Sequence, residues 1–146
     1  MYFYIPILFF LLIDQFVKHL VRSNMVQGQS IPILQNIFHL TYIENPGAAF
    51  GILANHRLLF LLLTAVITGI MFYLYLQLNN KKSPTAFSLA LVISGALGNF
   101  IDRFFRGTVT DMFDFQIWPI FNIADICICL GLAGLCYLLL IKGEEL

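Results

Sequence analysis

Asp111 and Asp125 are two carboxylates that this chain can bring to one place. They stand fourteen residues apart, one on a loop that follows an apolar run and one where the next apolar run begins. Two carboxylates about 3 Å apart cannot both ionise, so one pKa rises and the pair shares a proton. The ionised member can then take a proton from water while the neutral member donates to a carbonyl oxygen. That is the chemistry of aspartic peptide hydrolysis. Asn122 precedes Asp125 by three residues, which is also the spacing of a helix capping box, so a purely structural reading of that pair stays open here. Asn99, Asp102 and Arg103 share one helix face, either as part of a site or as a helix-end ion pair with a polar neighbour that locks two helices. Asn45 falls at the same membrane face. Asp14 lies in the first apolar run, four residues before Lys18, where the two can pair.

Other chemistries find less support. His19, His39 and His56 are scattered without ligand spacing, so neither metal nor cofactor is expected. Cys127, Cys129 and Cys136 all fall in one apolar run and read as small packing residues.

The elements that must position these residues are membrane spans. The chain has 146 residues, 60% hydrophobic and 11% charged, with a mean hydropathy of +0.86. Soluble domains average about 45–50% apolar and about 25% charged, so a water-soluble monomer is excluded by composition. Eight basic residues balance eight acidic ones, which leaves no electrostatic footprint for nucleic acid. A spanning helix needs about 20 apolar residues. Four such segments fit, at about 3–22, 57–78, 85–105 and 122–141, in one integral-membrane domain covering 1–146. The first lacks a basic start and a small-residue cleavage site, so it reads as retained rather than as a signal peptide. The expected fold is an all-α membrane protein of four transmembrane helices, with a small β-containing region between helices one and two, which the family resemblance given below makes extracytoplasmic. Within the long segment 23–56, Phe38, Leu40 and Tyr42 alternate with His39 and Thr41, which suggests a strand. The loop 106–121 is long and partly apolar. With four spans, both long segments lie on one side, and both termini and Lys81–Lys82 on the other. Ser94, Gly95, Ala96 and Gly98 are small enough to let helices approach closely.

The positive-inside rule does not fix the orientation. Lys18, Arg22, Arg57, Arg103 and Arg106 lie on the long-loop side, against Lys81, Lys82 and Lys142 on the other. Taken literally, that puts the long loops in the cytoplasm. If Lys18 and Arg103 pair with Asp14 and Asp102, the count is even and decides nothing.

Five stretches carry a family resemblance. They are Asp14-Gln-Phe-Val-Lys18, Asn45-Pro-Gly-Ala-Ala-Phe-Gly51, Gly95-Ala-Leu-Gly-Asn-Phe-Ile-Asp-Arg103, Gly107-Thr-Val-Thr-Asp-Met-Phe-Asp-Phe115 and Phe121-Asn-Ile-Ala-Asp125. In this order, on four spans, they make the chain closely resemble lipoprotein signal peptidase (signal peptidase II), a bacterial aspartic peptidase family. The resemblance implies a catalytic dyad of Asp111 and Asp125. It places Asn45, Asn99, Asp102, Arg103, Asn122 and Ala124 around the site, with Asp14 in support from span one. It implies a membrane aspartic endopeptidase that removes the signal peptide from prolipoproteins bearing diacylglycerol, cutting just before the lipidated cysteine. It further implies sensitivity to globomycin-type inhibitors and residence in the bacterial cytoplasmic (inner) membrane. Both termini would be cytoplasmic and the dyad would lie toward the outer face, which supplies the orientation that the charge count leaves open. A complete site drawn from one chain is consistent with a monomer surrounded by membrane lipid. Two departures flank Asp111: Met112 stands where Phe is common, and Thr110 where an apolar residue is usual. Segment 23–56 is a candidate platform or lid. The competing readings are a small proton-coupled carrier, and a subunit whose polar residues only clamp helices.

Overall fold

The protein is described here by a computed structural model, over residues 3–47 and 56–143. Among the described residues, four helices are long and apolar enough to cross a membrane. They are α1 (Tyr4–Asn24), α2 (Arg57–Gln77), α3 (Pro84–Arg106) and α4 (Ile123–Cys136), the last continued by a π turn over Tyr137–Ile141. Each expected span matches its helix to within about two residues, the usual uncertainty of a helix end.

The starts and stops follow from local chemistry. Ser83 caps α3 by accepting from the Ala86 N–H at 3.1 Å, and Pro84, which has no N–H to satisfy, fills the first helical position. Gly107 ends the helix at φ +85°, in the left-handed region. Helix α3 is the centre of the bundle and is buried along most of its length, whereas α2 is exposed nearly throughout. The small residues explain that centrality. A Cβ added to Gly95 would lie 2.2 Å from the Ala124 carbonyl oxygen, and one on Gly131 would lie 2.7 Å from that of Ser88. Helices α3 and α4 therefore touch backbone to backbone. The main apolar core runs between α1, α2, α3 and α4 at the end remote from the long loops. There Phe3 stacks on Tyr75 with ring centroids 3.5 Å apart, beside Leu89, Ile93 and Leu135.

At the other end sits a three-stranded antiparallel sheet, β1 (Ser30–Leu34), β2 (Phe38–Asn45) and β3 (Val109–Asp114), in that spatial order. The expected strand is β2, and its alternation holds. Leu40 and Tyr42 pack with Val21 and Met112. On the other face Thr41 bonds Ser30 and Asp114. The third strand comes from the segment read as a loop between helices three and four, so the β region is not confined to the connection between helices one and two. Its pairing sets Ile43 opposite Asp111 and Asn45 opposite Val109. Pairing of β2 with β3 also fixes segments 23–47 and 107–122 at the same end of the bundle.

Candidate active site

Asp111 lies in β3 and Asp125 in the first turn of α4, and Asn122 bonds both of them. Asn122 donates from Nδ2 to Asp111 Oδ1 at 2.6 Å, and from its backbone N–H to Asp125 Oδ2 at 3.2 Å. Asn99 donates from Nδ2 to Asp125 Oδ1 at 2.8 Å. Asn45, at the end of β2, donates to Asp111 Oδ2 at 2.9 Å. All four carboxylate oxygens therefore accept a hydrogen bond from an N–H.

Groups that can only donate set the direction of these bonds. The Asp125 N–H donates to Asn122 Oδ1 at 3.0 Å, which turns the Asn122 amide N–H groups toward Asp111 and Asn99. The Gly47 N–H donates to Asn45 Oδ1 at 2.9 Å and turns that amide toward Asp111. The Lys18 ammonium does the same for Asn99 at 3.0 Å. The capping box of α4 is complete, with both of its hydrogen bonds present. Capping and site-building are thus one arrangement, because the cap residue is also the bridge between the carboxylates.

Asp111 is buried among these groups. Desolvation pushes its carboxyl up to about 7, and the charge of Asp125 pushes in the same direction. The bonds from Asn45 and Asn122 and the charge of Lys18 oppose the rise.

The supporting residues divide into two sets. Asp14 accepts from the Ala124 N–H at 2.9 Å, so α1 holds the start of α4 directly. Asp14 and Asp102 flank Lys18 at 2.9 and 3.0 Å, and Arg22 reaches Asp102 at 3.6 Å. The expected pairing of Asp14 with Lys18 forms. The expected pairing of Asp102 with Arg103 does not: Asp102 turns inward to Lys18, while Arg103 donates to the Gly47 carbonyl at 2.7 Å and lies 4.6 Å from the centroid of the Phe60 ring. Adjacent residues on a helix point about 100° apart, so one faces the bundle and the other the loop. Arg103 thereby tethers the chain just beyond Asn45. Ala48 to Gly51 of the Asn45 motif, and the rest of the proposed lid up to residue 55, lie outside the described residues.

Several participants were not singled out from the sequence as site residues. Besides Lys18, Gln15 donates to the Gly98 carbonyl at 3.1 Å. Glu44 accepts from Tyr42, Thr108 and Thr110. Burial pushes the Glu44 carboxyl up, but these three bonds and the charge of Arg106 outweigh it and hold the group below its ordinary value. The Tyr42 hydroxyl is pushed up to about 12, by burial first and by its bond to Glu44 second. Thr110 thus replaces an apolar side chain with a link: it accepts from Arg22 at 3.0 Å and donates to Glu44 at 3.0 Å. Met112 is fully buried in the apolar cluster beneath the sheet.

The two aspartates face a cavity of about 550 Å³. Asn45, Asn99 and Arg103 line its polar part. Trp118, Pro119, Ile120 and Phe121 line one apolar wall, and Ile126, Cys129 and Leu130 of α4 line another. Ile126 and Leu130 are exposed on the outer surface of α4, so this wall continues onto the outside of the bundle.

Comparison with known proteins agrees with this layout. The chain is 44% identical over 135 residues to the lipoprotein signal peptidase of Moorella thermoacetica, covering 92% of this chain and 90% of that one. It is 46% identical over 130 residues to that of Halothermothrix orenii, covering 89% of each. A bacterial membrane enzyme solved by the in meso method at 2.3 Å superposes with a TM-score of 0.88 at 30% identity, over 97% of this chain and 92% of that one. Residues 6–141 match the family model for signal peptidase (SPase) II. With nearly the whole chain matched, and with four apolar helices carrying its polar site at one end, this multi-pass membrane protein belongs to the signal peptidase II family, and it is a peptidase.

Proposed function

We propose that the chain is an aspartic endopeptidase that releases the signal peptide from diacylglyceryl-modified prolipoproteins, cutting just before the lipidated cysteine. The observation that carries this reading is the pair Asp111 and Asp125, bridged by Asn122 and opening on a cavity with one polar and two apolar walls. With its carboxyl raised to about 7, Asp111 can carry a proton near neutral pH. Asp125 takes a proton from water, and the water oxygen forms a bond to the scissile carbonyl carbon. Asp111 gives its proton to the carbonyl oxygen, and a gem-diol results. Asp125 then gives its proton to the amide nitrogen while Asp111 takes one from a gem-diol hydroxyl, so the carbon–nitrogen bond breaks into an amine and a carboxylic acid and the pair again holds one proton.

The apolar walls suit the rest of the substrate. A peptide bond next to a lipidated cysteine is held at the membrane surface by its acyl chains. Ile126 and Leu130 join the cavity to the lipid-facing side of α4, so such a substrate enters from the bilayer. Globomycin-type cyclic peptides would occupy the same space. The cavity end faces outward from the cytoplasmic membrane, both termini are cytoplasmic, and one chain supplies the whole site of a working monomer.

A proton-coupled carrier would hold its acids near the middle of the spans. Here one aspartate lies in a strand and the other in the first turn of a helix, which favours hydrolysis. The deciding experiment offers purified protein in detergent a prolipoprotein with and without its diacylglycerol. We expect cleavage of the lipidated form alone, lost in Asp111→Asn and in Asp125→Asn while both variants stay folded. Folded variants that still cleave would remove the dyad, and Asp102 and Asp114 would be tested next.

A further inference from the structure

Lys18 does not line the cavity, yet it stands at the centre of the polar network. Its side chain is fully buried. An ammonium has three N–H donors, and three acceptors stand at bonding distance: Asp14 Oδ2 at 2.9 Å, Asp102 Oδ2 at 3.0 Å and Asn99 Oδ1 at 3.0 Å. The two carboxylates more than balance its charge, and Arg22 reaches one of them. The third bond leads elsewhere, because Asn99 continues from Nδ2 to Asp125 Oδ1 at 2.8 Å. An ammonium only donates and a carboxylate only accepts, so the amide between them has one workable orientation. Turned over, it would set NH2 against the ammonium and C=O against the carboxylate, and both bonds would be lost. Asn122 donates to the same Asn99 carbonyl at 3.1 Å, in the same sense. Such chains polarise each link in one direction, and a charge at one end strengthens the effect.

We propose that Lys18 is a positioning residue for the dyad: through Asn99 it holds an amide N–H on Asp125 and so fixes which of the two aspartates carries the negative charge. The inference rests on the dyad reading above. Charged neighbours come from each packed element: Asp14 and Arg22 from α1, Asp102 and Arg103 from α3, Asp111 from β3 and Asp125 from α4. Arg22 is engaged with Asp102 and Thr110, and Arg103 holds the Gly47 carbonyl. Lys18 reaches the dyad through a single amide.

The test compares Lys18→Met, Lys18→Arg and the charge-balanced double variant Lys18→Met with Asp14→Asn. The Asn in that double variant keeps an acceptor for the Ala124 N–H, so it carries the test if Lys18→Met alone fails to fold. kcat and KM for lipidated prolipoprotein are measured over roughly pH 5 to 9. The charge of Lys18 opposes the rise of Asp111, so its removal makes the shared proton harder to lose. We expect kcat to fall about tenfold or more with KM changed less than about twofold, and the alkaline limb of the profile to move up by about half a pH unit or more. Lys18→Arg, which keeps a donor-only cation, should regain part of kcat and the wild-type midpoint. A folded Lys18→Met with an unmoved limb, or a folded double variant with unchanged kcat, makes Lys18 a structural ion-pair partner only and overturns the inference. Cleavage by Asp111→Asn or Asp125→Asn removes the dyad itself, a failure distinct from an unmoved limb on an intact dyad.

Discussion

Asp14 accepts a hydrogen bond from the backbone N–H of Ala124 at 2.9 Å, although the two are 110 residues apart in the chain. An N–H in the first turn of a helix has no partner within that helix, and here a carboxylate from another span supplies one. The same carboxylate pairs with Lys18 through its other oxygen. Asp14→Ala removes both bonds and leaves Lys18 short of a counter-ion. We expect a loss of about 3–5 kcal/mol in unfolding free energy, with Asp14→Asn losing less because it keeps the acceptor for Ala124. Equilibrium unfolding in mixed micelles measures both. Equal losses would mean that the Ala124 bond contributes nothing.

Asp111 gives the protein a dependence on pH with a definite sign. Its folded value of about 7 lies above its ordinary 3.8. Between these values the folded state holds a proton that the unfolded state has released, so stability falls as pH rises through that window, by about 1.4 kcal/mol per pH unit at most. Asp111→Asn has no such proton to lose. The variant should be inactive, and its melting temperature relative to the wild type should climb between about pH 4 and pH 7. Parallel melting curves would show that burial does not raise this carboxyl. In the wild type, activity should decline above about pH 7 as the shared proton leaves.

Gly95 and Gly69 form a matched pair of tests. A Cβ at Gly95 meets the Ala124 carbonyl oxygen at 2.2 Å, whereas one at Gly69 meets nothing within 4 Å. Gly95→Ala must push α4 away from α3, and α4 carries Asn122 and Asp125 at its start. We expect it to cost about 1–3 kcal/mol and to lower kcat, while Gly69→Ala is neutral or slightly stabilising. Thermal unfolding and turnover of both variants decide this. An active, stable Gly95→Ala would mean that the two helices separate freely.

The proposed orientation can be read in whole cells. Gln116 and Asn80 are exposed at opposite ends of the bundle, one in the β3–α4 loop and one between α2 and α3. In a chain with its three native cysteines replaced, an impermeant maleimide should label Gln116→Cys directly. Asn80→Cys should react only after the membrane is opened. The reverse pattern would invert the topology.

The spans were legible because each is a long apolar run, a signal that needs no knowledge of neighbours. The strand β2 was legible because one of its faces is apolar and the other polar. β1 was not, since all five of its residues are exposed and no face is marked. Nor was β3, since Val109 to Met112 are buried throughout and carry no alternation. The pairing of Asp14 with Lys18 could be read from a spacing of four on one helix. That of Asp102 with Lys18 could not, because it joins two helices whose mutual rotation only packing decides. The roles given to the residues now grouped as the candidate site came largely from the family resemblance. The residue types alone offered Asp111 and Asp125, the capping spacing of Asn122, the trio Asn99, Asp102 and Arg103 with two readings open, Asn45 at the same face, and Asp14 paired with Lys18. Lys18 was visible as a partner of Asp14, but its bond to Asn99 depends on how deeply α1 sits against α3.

The sheet joins strands from distant parts of the chain, and this sets an order for making the protein. β2 is finished before α2 and α3 exist, and its partner β3 follows both. Asp111 therefore emerges from the ribosome with Asn45 already waiting, but without Asn122, Ala124 or Asp125. The proposed dyad forms only once the fourth helix has entered the bilayer. The proposed site therefore stays incomplete until the start of α4 has been made and has docked beside β3 and α3.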